Sequence, residues 1–369
     1  MLRKKITWVT PDWFVDVDLP IVPHLSKYYD ITWIIIFPWR NCRYTEQEIS
    51  SNQSENLKIH FYYLKYYRKD PRIWFRYRNL GKLVFSIPCN LYYINMPPNG
   101  GTLQKVLHDK LPLDKTIITA HDGSIKSIMS SQTAIAYRNF YPRCKFVQMY
   151  SRSQAIEMQK NYPGPEVIEI PLALKDYGKS NKTTIDGIVT FLSFGTIHAE
   201  KNIPLLIEAA NQLYEEGISN FKVSINGQWK INANASSLIR HPEVISVRSG
   251  LIPNEDIPDM YATCKFAVFP YKMMSQSGAV KVAMNYHKPV VVSDLPGFKD
   301  EVEEGKNGFF FHSEDVESLK KVMRHCIEMS DDEYSDLQKS TIDYVTKNLS
   351  MESILSKYKS MIDKVLENE

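Results

Sequence analysis

A short turn rich in serine and glycine has the residue types best suited to bind an anion. Ser275, Gln276, Ser277 and Gly278 follow an apolar run at 266–270 and precede a segment with helical spacing. Such a turn presents unpaired backbone N–H groups and the positive end of the helix dipole. Glycine permits close backbone approach, and serine hydroxyls add donors. The pattern predicts a phosphate or diphosphate site, although the same residues would cap a helix that binds no ligand.

A lysine in a second loop has the charge to neutralise such an anion. Lys201 ends the sequence FGTIHAEK, which follows a predicted strand at 189–194 and precedes the helical sequence IPLLIEAANQLY. An ammonium group at this position would pair with diphosphate oxygens. The structural alternative is a solvated lysine at the start of a helix.

The elements that must position these loops alternate between short apolar strands and helical patterns, which is typical of parallel sheets built from βα units. Residues 175–186 are polar and lack periodicity, so we interpret them as a linker. From Ser350 to about 367, apolar residues recur at helical spacing. Ligands in such folds bind beyond the carboxyl ends of the strands. The predicted strands lie at 6–9, 32–37, 57–63, 116–120, 145–149 and 166–170, and then at 189–194, 222–226, 244–247, 266–269, 290–293 and 308–311.

Length and composition fit a folded protein of two domains. The chain has 369 residues, 43% of them hydrophobic and 24% charged. Its net charge of +3 is nearly balanced, so any electrostatic role must be local. The five dispersed cysteines favour free thiols in a reducing cytoplasm and argue against a zinc site. We expect the basic N-terminus to lead into a core strand and not a signal peptide, and we expect no transmembrane helix.

The order and spacing of the segments in the second half resemble the GT-B glycosyltransferases of family 4, which are retaining enzymes. The similarity rests on Lys201, the turn at 275–278, and the sequences AMNYHKPVVVSD and GFKDEVEEGKNG. It is close over about 189–366 and covers the first half in general layout. It implies an α/β fold with two doubly wound, Rossmann-like domains that face each other across a cleft. The implied parts are an acceptor-binding domain at 1–178, a nucleotide-sugar-binding domain at 187–348, and a helix at 349–369 that packs back on the first domain.

The resemblance also implies the residues that bind the donor. Glu301 matches an acidic residue of the family, and its alternative role is that of a glutamate favoured at a helix N-terminus. Gly227 would line the cleft or serve only as a turn glycine. The implied donor-binding residues are Gly195, Thr196, Lys201, Gly227, Leu251, Ile252, Ser275, Gln276, Ser277, Gly278, Ala279 and Glu301.

The sequence departs from the family pattern at three charged positions. Thr196 stands where an arginine is expected, and Met274 and Val282 stand where the family has two glutamates. No Asp or Glu occurs from 260 to 292. We therefore expect Gln276 or backbone amides to contact the sugar.

Candidate acceptor-side residues follow predicted strands of the first half. The sequence TAHDG at 119–123 ends a strand with His121 and Asp122. The resemblance places a histidine here, where it would orient the acceptor hydroxyl or donate to the donor sugar, and Asp122 would act as a base. A structural histidine and a helix cap are the alternatives. The predicted catalytic residues are His121, Lys201 and Asp122, and the predicted acceptor-side residues are Asp12, Trp13 and Asp16.

A basic segment at 65–82 carries seven Lys or Arg residues against one Asp, interleaved with aromatic residues. Basic groups attract anionic lipid headgroups, and aromatic rings settle at the interface. Single-stranded nucleic acid, which we do not expect as a partner, and a solvated helix with its aromatic side in the core are the alternatives. The predicted membrane contacts are Lys65, Arg68, Lys69, Arg72, Trp74, Arg76 and Arg78.

These features predict a retaining hexosyltransferase of the cytoplasm, with peripheral contact at the inner face of an anionic membrane. It would move a sugar from a nucleotide-sugar to a glycan or lipid-linked oligosaccharide, with no cofactor and no metal. Lys201 and the amides of Ser277 and Gly278 would stabilise the leaving diphosphate. The alternatives are a catalytically silent member that binds a nucleotide-sugar or a partner, and a membrane- or nucleic-acid-binding module. An epimerase would need cleft carboxylates, which are scarce here.

Overall fold

The computed structural model describes residues 3–40, 42, 44–67, 69–125, 129–184, 186–230, 235–274 and 276–367. The chain divides into two compact units. Unit 1 comprises Met1–Ala173 together with Met351–Glu369, and unit 2 comprises Leu174–Ser350. Each unit is built on one parallel sheet with helices on its faces, which confirms the predicted class of two doubly wound α/β domains.

Unit 1 contains, within the described residues, a seven-stranded sheet in the order β3-β2-β1-β4-β5-β6-β7. The strand order reverses between β1 and β4, so a loop crevice opens at their carboxyl ends. The strands are β1 (Lys5–Pro11), β2 (Asp30–Phe37), β3 (Leu57–Tyr63), β4 (Leu91–Ile94), β5 (Thr116–Ala120), β6 (Phe146–Met149) and β7 (Glu166–Glu169). The helices are α1 (Val15–Asp18), α2 (Val22–Leu25), α3 (Glu46–Ser50), α4 (Ile73–Ser86), α5 (Gly101–Val106), α6 (Ser131–Phe140) and α7 (Arg152–Asn161), with 3-10 turns at Asp12–Phe14, His108–Lys110, Leu113–Lys115 and Tyr141–Arg143.

One strand of unit 1, β4, is missing from the sequence-based prediction. Its four residues, LYYI, include two tyrosines and are too few to show a period, yet all four are buried. Its neighbours β1 and β5 give it its place, since Tyr93 pairs with Trp8 on one side and with Ile117 on the other. A central strand of four residues is fixed by these neighbours and not by its own pattern.

The last helix of the chain, α14 (Met351–Glu367), completes one core of unit 1. Trp8 stacks on Tyr93 with ring centroids 3.5 Å apart, and the ring of Tyr358 lies 6.3 Å from Trp8. The apolar residues at helical spacing point into this core, as amphipathic periodicity predicts. They are Ile354, Tyr358, Met361, Ile362, Val365 and Leu366.

Unit 2 contains, within the described residues, a six-stranded sheet in the order β10-β9-β8-β11-β12-β13, which reverses between β8 and β11. All six strands were predicted, to within two residues. They are β8 (Val189–Phe194), β9 (Phe221–Gly227), β10 (Ile245–Ser249), β11 (Phe266–Phe269), β12 (Val290–Ser293) and β13 (Gly308–Phe311). The helices are α8 (Ile203–Glu215), α9 (Ile257–Thr263), α10 (Gly278–Asn285), α11 (Pro296–Lys299), α12 (Val316–Glu328) and α13 (Asp331–Leu349), with 3-10 turns at Ala199–Lys201, Ala235–Leu238 and Asn254–Asp256.

The polar stretch interpreted as a linker, 175–186, is anchored to unit 2 where it is described. The backbone N–H of Tyr177 donates to the hydroxyl of Tyr286 over 3.0 Å. Further along, the ammonium of Lys182 lies 2.8 Å from the carboxylate of Asp259. The described residues of this stretch form no helix or strand, because their polar groups form hydrogen bonds with side chains and not with a neighbouring strand.

Candidate functional site

Two loops of unit 2 meet where the strand order reverses. The loop after β8 ends in the 3-10 turn that carries Lys201, and the loop after β11 begins with Pro270 and Tyr271. The backbone N–H of Lys272 donates to the carbonyl of Glu200 over 2.8 Å, which ties the loops together. The ammonium of Lys201 lies 3.6 Å from the centroid of the Tyr271 ring. A cation on a ring face is held electrostatically, so this charge is fixed at the carboxyl edge of the sheet.

Tyr271 is a rigid support for that charge. Its side chain is 3% exposed, and its ring lies 5.7 Å from Phe269 and 5.5 Å from Phe298. Its carbonyl accepts hydrogen bonds from the hydroxyls of Ser293 (2.7 Å) and Ser313 (3.3 Å). Packed aromatic groups with bonded backbone move little, so the ring keeps Lys201 in one place.

The predicted anion-binding turn ends at the N-terminus of α10. Ser277 is the N-cap, and its buried hydroxyl oxygen accepts from the backbone N–H of Val280 over 3.4 Å. The capping alternative named from the sequence is therefore present, and the hydroxyl proton can still be donated. Gly278 and Ala279 carry the first N–H groups of the helix, which an α-helix leaves without internal acceptors. Ser275 lies outside the described residues.

A second lysine lies at this helix end, and the sequence did not single it out. A β-carbon built on Gly278 would lie 3.4 Å from the ammonium nitrogen of Lys175. Lys175 belongs to the polar stretch interpreted as a linker, where nothing distinguishes it from Lys179 or Lys182. Thr196, where the family pattern has arginine, is exposed and uncharged. Two ammonium groups therefore lie beside the segment that joins β11 to α10: that of Lys201 at Tyr271 and that of Lys175 at Gly278.

Glu301, predicted to contact the donor, has a partner that the sequence did not reveal. Its carboxylate lies 3.2 Å from the ammonium of Lys281 on α10, and the two side chains are 5% and 0% exposed. Lys281 precedes Val282, the position where a glutamate was expected. A lone lysine in the apolar sequence AVKVAM is the one signal that could have indicated it.

Glycines allow the carboxyl ends of the neighbouring strands β8 and β9 to approach each other closely. A β-carbon on Gly227 would lie 1.8 Å from the carbonyl oxygen of Gly195, so only glycine fits. Gly227 thus has a packing reason that needs no ligand. Two further predicted donor-binding residues differ in environment, since Leu251 is 85% exposed and Ile252 is 8% exposed. Ile252 packs in a core of unit 2.

In unit 1, three polar residues directly follow three adjacent strands, and two of them, Asp12 and His121, were predicted from the sequence. Asp12 follows β1, Asn95 follows β4 and His121 follows β5, so all three lie at the same edge of the sheet. The His121 ring stacks on Phe14 with centroids 3.8 Å apart, and its Nε2 lies 3.2 Å from Oδ1 of Asn95. Burial lowers the pKa of His121 to about 4, although nearby Asp122 and Asp16 oppose the shift. The imidazole is therefore neutral at neutral pH.

The other predicted acceptor-side residues lie close by in sequence but differ in exposure. Asp12 is 2% exposed in the 3-10 turn after β1, whereas Trp13 is 44% exposed. Asp16, in α1, and Asp122, next to His121, are half-buried. The sequence analysis did not identify the contacts of Phe14 and Asn95 with His121, because they join segments that are far apart along the chain.

The aromatic rings of the basic segment differ in environment: Tyr77 packs against a core of unit 1, as the solvated-helix alternative predicts, whereas Trp74 and Phe75 face solvent. Trp74 is 42% exposed and Phe75 is 60% exposed, with ring centroids 5.0 Å apart. The Arg78 guanidinium lies 5.5 Å from the Trp74 ring. Two predicted contacts are engaged locally, since Arg72 pairs with Asp70 and Arg76 donates to the Tyr63 carbonyl over 3.0 Å. Lys65 and Lys69 are exposed, and Arg68 lies outside the described residues. In the described part of the chain, no helix has both the length and the apolar character needed to cross a bilayer.

Comparisons with known proteins relate unit 2 to a family of glycosyltransferases and the whole chain to several solved structures. Residues 179–346, most of unit 2, match the family model of glycosyl transferases group 1. No curated protein sequence matches the chain. The glycosyltransferase of Rickettsia africae ESF-5 and the sucrose-phosphate synthase of Thermosynechococcus elongatus each have a TM-score of 0.76, at 15% and 12% identity, with 100% of both chains covered. The Anabaena protein HepE, solved with UDP and glucose, has a TM-score of 0.73 at 14% identity, with 98% of this chain and 100% of that chain covered. At these identities the likeness shows the fold, which is the one predicted.

Proposed function

We propose that this protein is a retaining glycosyltransferase that transfers a sugar from a nucleotide-sugar to a glycan or lipid-linked oligosaccharide. One observation carries the proposal: Lys201 lies on the ring of Tyr271, which is in the loop that leads to α10, and Lys175 lies beside Gly278 at the N-terminus of α10. Two ammonium groups and aligned helix amides favour a diphosphate. The match of unit 2 to group 1 glycosyltransferases and the UDP bound by HepE support this ligand class.

In the proposed reaction the bond between the sugar and the diphosphate breaks, and negative charge develops on the leaving group. Lys201, Lys175 and the amides of Gly278 and Ala279 offset that charge, and the Ser277 hydroxyl donates a hydrogen bond. The acceptor hydroxyl attacks on the face that the diphosphate leaves, so no protein nucleophile is needed. This fits the absence of Asp and Glu from 260 to 292.

We assign the other parts of the nucleotide-sugar to residues according to where those residues lie in unit 2. We assign the sugar to Gln276 and the base and ribose to Gly195, Thr196 and Leu251. Ser275 and Gly227 stay predicted contacts, while Glu301 and Ile252 act through α10 and the core. No metal enters the scheme, because the lysines and amides supply the positive charge.

We assign the acceptor to unit 1. His121 at the tip of β5 is neutral and ring-stacked, so it binds a hydroxyl without adding charge. Asp122 is the proposed base, and Asp12, Trp13 and Asp16 surround the acceptor sugar. A neutral histidine with nearby carboxylates suits a hydroxyl nucleophile, which must lose a proton as it attacks.

We also propose that unit 1 contacts an anionic membrane surface, which would carry a lipid-linked acceptor. The exposed rings of Trp74 and Phe75 lie on α4 beside Arg78, and Lys65 and Lys69 are exposed before the helix. Exposed tryptophan and arginine side by side are typical of interfacial segments. The contact is peripheral and at the cytoplasmic face.

A thermal-shift panel of UDP-, GDP-, dTDP- and CMP-sugars tests the donor site. One class is expected to stabilise the wild type by about 2.7 kcal/mol at a hundred times its Kd. Lys201→Ala is expected to lose this response. Lys272→Ala is the matched control, because Lys272 is exposed in the adjoining loop and pairs with Glu314 at 2.7 Å. No response to any donor would overturn the proposal.

A second candidate, a catalytically silent nucleotide-sugar-binding protein, is favoured by one observation. The chain lacks acidic residues from 260 to 292, and the nearby Glu301 is engaged by Lys281. A donor that stabilises the protein but is neither hydrolysed nor transferred to any glycan, over hours at high enzyme concentration, would establish this candidate instead.

A further inference from the structure

A line of buried polar groups extends from His121 into the sheet of unit 1. Asn95, at the carboxyl end of β4, is 0% exposed, and its Oδ1 lies 3.2 Å from Nε2 of His121. Behind it lies Asp18 of α1, also 0% exposed. Neither Asn95 nor Asp18 was indicated by the sequence, and neither belongs to the proposed binding residues.

The hydrogen bonds around Asp18, at the far end of this line, each have a defined donor and acceptor. Oδ2 of Asp18 accepts from Trp8 Nε1 over 2.9 Å and from Thr10 Oγ1 over 2.5 Å. The Thr10 hydroxyl in turn accepts from Trp33 Nε1 over 2.9 Å, so its own proton points to Asp18. Indole N–H groups only donate, so every bond in this set is directed toward the Asp18 carboxylate.

The orientation of the Asn95 amide follows from this carboxylate. Oδ1 of Asp18 and Nδ2 of Asn95 are both buried, and neither atom has a hydrogen-bond partner among the described residues. The Asn95 side chain lowers the pKa of Asp18 and so favours its charged form, which indicates that the amide and the carboxylate lie next to each other. An amide turns its NH₂ and not its oxygen toward a carboxylate, which leaves Oδ1 facing His121. An oxygen at that position requires a proton on Nε2.

We propose that Asp18 and Asn95 are positioning residues that hold His121 as the neutral Nε2–H tautomer. The lone pair of the imidazole is then on Nδ1, so a sugar hydroxyl that binds there donates a hydrogen bond to the ring. His121 is an acceptor toward its ligand and not a proton donor. The identity of that ligand rests on the proposed function, whereas the tautomer is a property of the chain. Phe14, stacked at 3.8 Å, and Tyr150, at 5.0 Å, hold the ring in place.

Protonation of Asp18 would reverse the arrangement. Burial raises the pKa of Asp18 to about 6, although Thr10, Trp8 and Asn95 each lower it, and Asp16 adds to the rise. A protonated Asp18 donates to the amide oxygen, the amide rotates, and its NH₂ then faces His121. Nε2 must accept, and the ring proton resides on Nδ1. The charged or titratable groups around the line are Asp16, Asp122, Tyr93, Tyr150 and Tyr358.

The tautomer is measured directly by two-bond ¹H–¹⁵N NMR on the full chain labelled with ¹⁵N-histidine, with His121 assigned from His121→Gln. At pH 7.5 the His121 pattern is expected to be that of Nε2–H. Asp18→Asn, which can offer an NH₂ to Asn95, is expected to shift at least half of the population to Nδ1–H. His108, whose Nε2 lies 2.9 Å from the Met96 carbonyl, is the internal control and should not change.

An Nδ1–H pattern for the wild type at pH 7.5 overturns the proposal without any variant. An unchanged His121 pattern in a folded Asp18→Asn overturns the part played by Asp18. Neither result depends on donor binding, so failure here is distinct from failure of the proposed function. Where transfer is measurable, Asn95→Ala is expected to raise the acceptor KM about fivefold with donor Kd unchanged. An equal loss for both substrates would indicate a merely structural role.

Discussion

The ammonium of Lys281 lies 3.2 Å from the carboxylate of Glu301, and both side chains are withdrawn from solvent. This pair joins α10 to the segment that follows α11. Taking two charges out of water has a large cost, which the mutual attraction offsets only while both partners are present. The pair therefore fixes the position of α10, and through it the turn that ends at Ser277.

Removing one partner of this pair is expected to destabilise unit 2 strongly. Lys281→Met should lower the free energy of unfolding by about 3–5 kcal/mol, because Glu301 is left buried without a counter-ion. The double variant Lys281→Met/Glu301→Leu should regain most of the loss. Urea unfolding followed by circular dichroism measures both. Equal losses in the single and double variants would show that the charges do not act as a pair.

We expect Lys175, like Lys201, to bind the diphosphate of the ligand at the anion site. Lys175→Ala should weaken nucleoside diphosphate binding about tenfold, the value of one charge-assisted hydrogen bond. The matched control is Lys179→Ala, which removes an exposed lysine from the same polar stretch. Calorimetric titration with UDP and GDP gives the affinities. Wild-type affinity in Lys175→Ala would remove this residue from the site.

Asp18 is expected to make unit 1 less stable as pH rises from about 4 to 6. Burial raises its pKa from 3.8 to about 6, so over this range the folded state binds more protons than the unfolded state. Stability contributed by the neutral carboxyl is lost as pH rises, by about 3 kcal/mol in total. His108 and His121, whose pKa values burial lowers to about 4, act in the opposite direction.

Comparison of wild type with Asp18→Asn isolates this effect. The stability of the variant relative to wild type should improve by up to about 3 kcal/mol between pH 4 and pH 7, because asparagine does not ionise. Urea midpoints at half-unit pH steps supply the difference. A constant difference across the range would mean that the Asp18 pKa is close to its ordinary value.

The exposed rings of α4 are expected to drive membrane contact. The double variant Trp74→Ala/Phe75→Ala should lose at least tenfold in affinity for vesicles containing anionic lipid, since two interfacial side chains are removed. Ile156→Ala, which trims a 61% exposed residue of α7, is the control. Cosedimentation at low and high salt measures binding. Unchanged binding in the double variant would assign the surface a different partner, and single-stranded nucleic acid would be the next to test.

Most strands could be predicted because each carries an apolar run that a buried parallel strand requires. β4 could not, since Tyr92 and Tyr93 become strand residues only between β1 and β5. The positions of Lys201 and Ser277 could be predicted because each follows a strand and precedes a helix. Lys175, Asn95 and Lys281 could not, because their partners are 20 to 103 positions away along the chain and no local pattern records such contacts.

The membership of α14 in unit 1 has a consequence for the order in which the chain folds. Unit 2 is one continuous stretch, Leu174–Ser350, so all its residues have been synthesised before Met351 is added. The core around Trp8 and Tyr93, in contrast, lacks Tyr358 until the segment that follows unit 2 has been synthesised. Until then the core of unit 1 has an open apolar face, so the part of the chain made first can complete its core only after unit 2 has been synthesised.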